Sequence, residues 1–213
     1  MRCPAILTCL VLACWPTASA YAESITFEHE VVGLPPSDFD FWGTGESGPG
    51  SWDVVRDESA DGWHALEQYG HEPLADRVPL AIYKPFSGDN LEVAIHFKVI
   101  AGRLDQSAGV AVRLTTPDDY YVARASVIAQ DVRLYRVANG KFDELGRMPA
   151  RVTPKEWHTL VVQAAGDRFL VAFDGRPILA ATDATFRLPG KIALWTNADS
   201  ITRFDHLEIR RLR

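Results

Sequence analysis

Apolar and polar residues alternate with a period of two through most of the chain after Leu91. Val110, Val112 and Leu114 alternate with Ala111 and Arg113, the pattern of a strand with one buried face. Thr116-Pro117-Asp118-Asp119 breaks the pattern as a turn, and Tyr120 to Ser126 and Val132 to Val137 resume it. Asn139-Gly140 marks a two-residue hairpin, because both residues tolerate positive φ, with Lys141 to Leu145 as the return strand. Trp157 to Ala164, Arg168 to Phe173, Pro177 to Ala181, Lys191 to Thr196 and Arg203 to Arg210 continue the series, separated by Gly166-Asp167, Asp174-Gly175 and Pro189-Gly190. No stripe of apolar residues at helical spacing competes with this reading. Closely spaced strands of this kind predict an all-β, two-sheet sandwich rather than a βαβ fold. The segment Gly33 to Gly50 is rich in Pro and Gly, but Phe39, Phe41 and Trp42, with Trp52 just beyond, make it a packed loop region and not a linker.

The first twenty residues follow different rules. Arg2 is their only charge, Ala5 to Ala13 is a short apolar run, and Ala18-Ser19-Ala20 offers the small residues of a cleavage site. That predicts a secretory signal over 1–20 and one domain over 21–213, with an exported, periplasmic or extracellular product. Cleavage after Ala22 is the second choice. Val11-Leu12-Ala13-Cys14 gives a competing lipobox, which would anchor the protein through Cys14. All three cysteines fall in this segment, so the body has no disulfide to rely on and must be held by its apolar interior. The formal charge of −6 argues against nucleic acid and anionic membranes as partners, since both call for a basic face. No later apolar run reaches the length of a transmembrane segment.

Several motifs recur in an order that resembles a known architecture. They are Gly109-Val110-Ala111-Val112-Arg113, Asp119 to Ala125, Trp157-His158-Thr159-Leu160, Phe173-Asp174-Gly175, Gly190 to Thr196 and Phe204-Asp205. Together they resemble a concanavalin A-like (LamG-like) domain, a two-sheet antiparallel jelly-roll β-sandwich. More narrowly, they resemble the bacterial 3-keto-disaccharide hydrolase-like family. The resemblance covers roughly Phe27 to Arg210. It implies a first strand near Ile25-Thr26-Phe27-Glu28 pairing close to the last one, and a carbohydrate ligand on the concave face of one sheet. Trp157 after its Pro turn is expected to be a core anchor, with Phe173 and Leu194 also in the core.

Alternation places the candidate chemistry. If Val110, Val112 and Leu114 face inward, Arg113 points out, and Tyr120 and Arg124 share a face on the next strand. Tyr135 lies with Arg133 on the third, and Trp195 with Asn197 opposes Ile192 and Leu194. Arg113, Tyr120, Arg124, Tyr135 and Trp195 would then form one platform of rings and guanidinium groups. Sugars suit it: their C–H faces stack on rings and their hydroxyls pair with polar side chains. No Glu-x-Asp occurs, so the two-carboxylate mechanism of the retaining laminarinases lacks its familiar motif. Neither H-E-x-x-H, Gly-x-Ser-x-Gly nor a P-loop is present. Glu28 and Asp205, near the paired terminal strands, are candidate oxygen ligands for a structural calcium ion.

The expected function is a non-catalytic, lectin-like carbohydrate-binding module. Its alternatives are a glycoside hydrolase acting on a 3-keto or related modified disaccharide, and an adhesion or scaffold module with a protein ligand. Mass spectrometry of exported protein checks the leader: a mature N-terminus at Tyr21 or Glu23 is expected. A diacylglyceryl group on Cys14 would contradict it and place the domain on a membrane surface.

Overall fold

The computed structural model of the protein describes residues 22–45, 48–70 and 77–212. The expected leader, Cys14 included, lies outside them. The chain forms β1 (Ala22–Ile25), β2 (Phe39–Gly43), β3 (Trp52–Arg56), β4 (His64–Gln68), β5 (Pro79–Gly88), β6 (Leu91–Ala101), β7 (Ser107–Thr116) and β8 (Asp119–Ser126). It continues with β9 (Asp131–Ala138), β10 (Lys141–Pro149), β11 (His158–Ala165), β12 (Arg168–Phe173), β13 (Arg176–Thr182), β14 (Gly190–Trp195) and β15 (Ile201–Arg211). A 3-10 turn, Asp61–Trp63, precedes β4. No helix among the described residues is long and apolar enough to cross a membrane.

Fourteen of the described strands run in two antiparallel paths. One sheet has the order β13-β12-β11-β6-β15-β4-β3, with β1 pairing the end of β15. The other, of seven strands, has the order β10-β9-β8-β7-β14-β5-β2. The fold is a two-sheet β-sandwich, as the alternation implies, and a jelly roll, as the resemblance implies. Both hairpin signals form tight turns, with φ of 50° and 72° at Asn139 and Gly140, and 46° and 74° at Asp174 and Gly175. The first strand ends at Ile25, opposite Leu207, so Glu28 stands in the loop beyond it. The segment Gly33 to Gly50 is not all loop, since β2 forms the edge of the seven-stranded sheet.

Between the sheets, Val93, Ile95 and Phe97 of β6 and Leu160 and Val162 of β11 face Val110 and Val112 of β7, Tyr121 and Ala123 of β8 and Ile192 and Leu194 of β14. Phe173 belongs to this interior as well. A second apolar cluster lies on the other face of the seven-stranded sheet: Leu80, Ile82, Ala111, Leu114, Tyr120, Val122, Val137, Ala193 and Trp195. Buried on both faces, the central strands read as nearly continuous apolar runs.

Arg113 departs from the expected outward position. The pairing of β7 slips between Val112 and Thr116, and Arg113 takes a φ of 52°. This bulge reverses the alternation, so Leu114 joins the outer cluster and Arg113 turns inward. Only glycine fits beside it, because a Cβ on Gly190 would lie 2.4 Å from the Arg113 carbonyl carbon. The guanidinium is buried, donating to the carbonyls of Asp89 (2.8 Å) and Phe186 (2.9 Å) above the ring of Phe169.

Trp157 is likewise not a core anchor. It precedes β11 on the outer face of the larger sheet, half-buried, with the Lys98 ammonium 4.7 Å from its ring centre. Its indole N–H donates to Ser59 Oγ at 3.0 Å. Beside it Asp57 is ion-paired with Lys98 and Arg203. Burial alone would raise the Asp57 carboxyl, but hydrogen bonds from Lys98, Arg203 and Ser59 outweigh it and hold the group well below the usual carboxylate range. A carboxyl lowered by folding contributes stability that is complete above its unfolded value near pH ~4 and fades as pH falls towards the folded value. Asp57→Asn should therefore lower the thermal midpoint at pH 7 and flatten its decline below pH ~4. An unchanged acid limb in calorimetry would contradict this.

Candidate functional site

On the outer face of the seven-stranded sheet, a cavity of about 370 Å³ opens between β8, β9, β10 and the end of β14. Arg124, Tyr135, Phe142, Trp195, Asp105 and Asn197 line it. Register explains the assembly. Arg124 pairs with Arg133, Tyr135 with Val122 and Glu144, and Phe142 with Val137, so these side chains point the same way. Trp195 pairs with Gly109 of β7, where a Cβ would lie 3.0 Å from the indole, so the glycine leaves the ring its seat.

The aromatic wall is mutually packed. Phe142 meets Tyr135 edge-on at 5.7 Å between centroids and Trp195 at 6.5 Å. The Arg124 guanidinium lies 6.0 Å over Tyr135. Phe142 is 39% exposed, whereas Trp195 is 2% exposed. Trp195 thus belongs to the outer apolar cluster as well as to the cavity wall.

Charges are arranged around Asp131, which is fully buried at the start of β9. Arg133 and Arg147 approach its carboxylate at 2.9 and 2.7 Å, and Arg124 at 3.3 Å. Three guanidinium groups around one carboxylate leave donor capacity over, and the Nη1 of Arg124 has no hydrogen bond among the described residues. Arg133 also donates to the Tyr135 hydroxyl at 3.2 Å and to Glu144 at 3.1 Å, which fixes the ring. At the other end, Asp105 accepts from Ser107 Oγ and Asn197 Nδ2, both at 2.8 Å. Asp199 holds that loop by accepting from the backbone N–H groups of Arg103, Leu104 and Asp105. Burial would raise the Asp199 carboxyl, but these bonds keep it below its ordinary value.

Of the five residues expected on one platform, Arg124, Tyr135 and Trp195 come together in this cavity. Tyr120 lies on the same face but is completely buried. Its hydroxyl bonds Thr44 Oγ1 at 2.8 Å, and burial pushes the phenol up to about 12. It supports the sheet rather than offering a ring to a ligand. Arg113 is on the opposite side of the sheet. Phe142 and Asp105 were not among the expected residues, although the Asn139-Gly140 hairpin already sets Phe142 opposite Val137 on the face of Tyr135.

Glu28 and Asp205 both bind the backbone around the 3-10 turn. Glu28 Oε1 accepts from the N–H of His64 (3.1 Å) and Asp205 Oδ2 from that of Asp61 (2.9 Å), so the two carboxylates secure opposite ends of the 3-10 turn. Burial pushes the Asp205 carboxyl up, and its neighbours are His96 and His206.

A larger cavity, about 620 Å³, lies elsewhere, beside Thr153, His158, Phe173 and Asp174. Both nitrogens of its histidine are engaged, Nδ1 with Asp174 at 2.8 Å and Nε2 with the backbone of Thr153. That imidazole ties a loop to β11. The lining is charged, with Arg151, Glu156 and Arg176, but its phenyl ring, Phe173, is buried, whereas the smaller cavity is walled by Tyr135, Phe142 and Trp195.

No family model matches the chain, and no curated protein matches it in sequence. Solved structures do match its shape. Carbohydrate binding module CBM66 from Bacillus subtilis superposes with a TM-score of 0.63 at 15% identity, over 82% of this chain and 95% of that one. A prokaryotic β-1,3-1,4-glucanase (lichenase) derived from a mouse hindgut metagenome gives 0.60 at 12%, over 90% and 99%. Domain 4 of AbnA, a GH43 extracellular arabinanase from Geobacillus stearothermophilus, in complex with arabinotriose, gives 0.56 at 13%, over 90% and 93%. What the chain shares with them is the jelly-roll β-sandwich fold. These neighbours do not name the narrower 3-keto-disaccharide hydrolase-like family, and at such identities they speak for the fold alone.

Two of the three aromatic residues of the wall should separate on mutation. Trp195→Ala should lower the unfolding free energy by about 3–5 kcal/mol, since it empties a packed cluster. Phe142→Ala should cost about 1 kcal/mol or less, because much of that ring is already exposed. Denaturant titrations check this, and equal losses would show that Trp195 is not a buried support.

Proposed function

We propose that the domain is an exported carbohydrate-binding module that holds a sugar in the cavity on the outer face of the seven-stranded sheet. One observation carries the reading: the rings of Tyr135, Phe142 and Trp195 meet the planar polar groups of Arg124 and Asn197 around one opening. Rings stack against the C–H face of a pyranose or furanose, and guanidinium and amide groups match its hydroxyls. The fold is one on which the neighbours above include a carbohydrate binding module and a domain in complex with arabinotriose.

Binding accounts for the site better than hydrolysis does. Asp105 is occupied by Ser107 and Asn197, and Asp131 is shared among three arginines. Neither carboxylate is held in an apolar pocket as a general acid would be. Export rests on the apolar run and the Ala18-Ser19-Ala20 site. Cleavage after Ala20 leaves β1, which starts at Ala22, whole.

Glycan-array screening of the exported protein, with hydrolysis assays on ordinary and 3-keto disaccharides alongside, tests the proposal. Phe142→Ala and Tyr135→Ala should each weaken binding of the selected glycan about tenfold, the equivalent of losing ~1.4 kcal/mol of stacking. Trp63→Ala, an exposed ring remote from the cavity, should leave it unchanged. Binding indifferent to both cavity variants, or turnover of either disaccharide, would overturn the reading.

A further inference from the structure

The pairing of β15 with β6 slips between Phe204 and Leu207. Phe204 faces Phe97 and Leu207 faces Ile95, so Asp205 and His206 both stand opposite His96. In an even ladder one of the two would point into the sandwich. The bulge instead brings His96, Asp205 and His206 together, with one ligand atom from each lying within 4.8 Å of the others.

Two features single this cluster out from a chance meeting of polar side chains. Asp205 is 1% exposed, and its Oδ1 is buried without a hydrogen-bond partner among the described residues, although Oδ2 accepts from Asp61. A buried, unsatisfied carboxylate oxygen is costly, and in a native fold it calls for a partner. The imidazoles are also oriented. Trp157 stacks on His96 with centroids 6.4 Å apart and planes at 23°, and His206 meets His96 edge-on at 5.9 Å.

We infer that His96, Asp205 and His206 form a binding site for a late first-row divalent metal ion of the Zn2+ type. Two imidazoles and one carboxylate are the donors such ions prefer, whereas Ca2+ takes six to eight oxygens. Ligands at ~2.0–2.2 Å in a tetrahedral set stand ~3.4 Å apart, so small side-chain rotations close the present separations. The side chain of His206 is 25% exposed, which leaves the fourth position open towards solvent. The exposed carboxylate of Asp61 has Oδ2 4.0 Å from His206 Nε2 and is within reach of that position. An ion here would join β6 to the bulge of β15 and to the Asp61–Trp63 turn, on the sheet opposite the sugar cavity. The site is independent of the proposed function.

The test uses untagged, chelator-stripped protein titrated with ZnCl2 by calorimetry, with Co2+ absorption as a second readout. About one ion per chain should bind, with a tetrahedral Co2+ spectrum, and saturating Zn2+ should raise the thermal midpoint by about 5 °C. His96→Gln and His206→Ala, both at partly exposed positions, should each weaken binding at least tenfold and abolish that rise. His29→Ala and Glu28→Gln should bind as the parent does, and CaCl2 should not compete. Absence of saturable binding would overturn the site. So would affinity unchanged in both histidine variants with circular dichroism intact, or displacement by Ca2+.

Discussion

On β7, Val112 meets Tyr121 in the interior between the sheets, while Leu114, two residues on, packs with Tyr120 and Trp195 on the opposite face. Burial of the seven-stranded sheet on both faces is the constraint from which the rest follows. No cysteine is found after Cys14, so apolar burial must supply the cohesion that a disulfide might have shared. One face closes the sandwich. The other fixes Trp195 and, around its rim, the more exposed rings and the Arg124 guanidinium of the cavity. Rotamers held by packing make a rigid site, which loses little entropy when a ligand orders it.

Charge is distributed in keeping with this. Asp131 is buried where β9 begins, and of the arginines that neutralise it Arg124 borders the cavity, while Arg133 holds the Tyr135 hydroxyl. A buried carboxylate with several oriented partners aligns those partners as firmly as packing aligns the rings. The larger sheet behaves differently. Its outer face carries Asp57, Lys98, Arg203 and Glu67 in a network of ion pairs, with Trp157 laid over Lys98.

The strands after Leu91 were legible in the sequence because their turns announce themselves: Asn139-Gly140 and Asp174-Gly175 adopt the positive φ that their residue types permit. β2 was not legible, since Phe39 to Gly43 is short and set among Pro and Gly. The bulge at Arg113 escaped because alternation counts residues and cannot count an inserted one. Its partner Gly190 shows the need for space only once the fold brings the two together. For Trp195 the direction was read correctly and the exposure was not. Period two distinguishes the faces of a strand, but it cannot tell a solvated face from one that carries its own apolar cluster. Trp157 misled for the complementary reason: a large ring after a Pro turn has the composition of an anchor, yet it lies just before the strand begins.

The central claim is that the cavity on the doubly buried sheet, and not the larger one beside His158, receives the sugar. A crystal structure of the protein soaked with the oligosaccharide that binds best tests this most directly. The account predicts a sugar ring against Tyr135 or Phe142, with a hydroxyl within hydrogen-bonding distance of Arg124 or Asn197. Sugar density at His158 and Asp174 instead, with the outer face of the seven-stranded sheet empty, would contradict it.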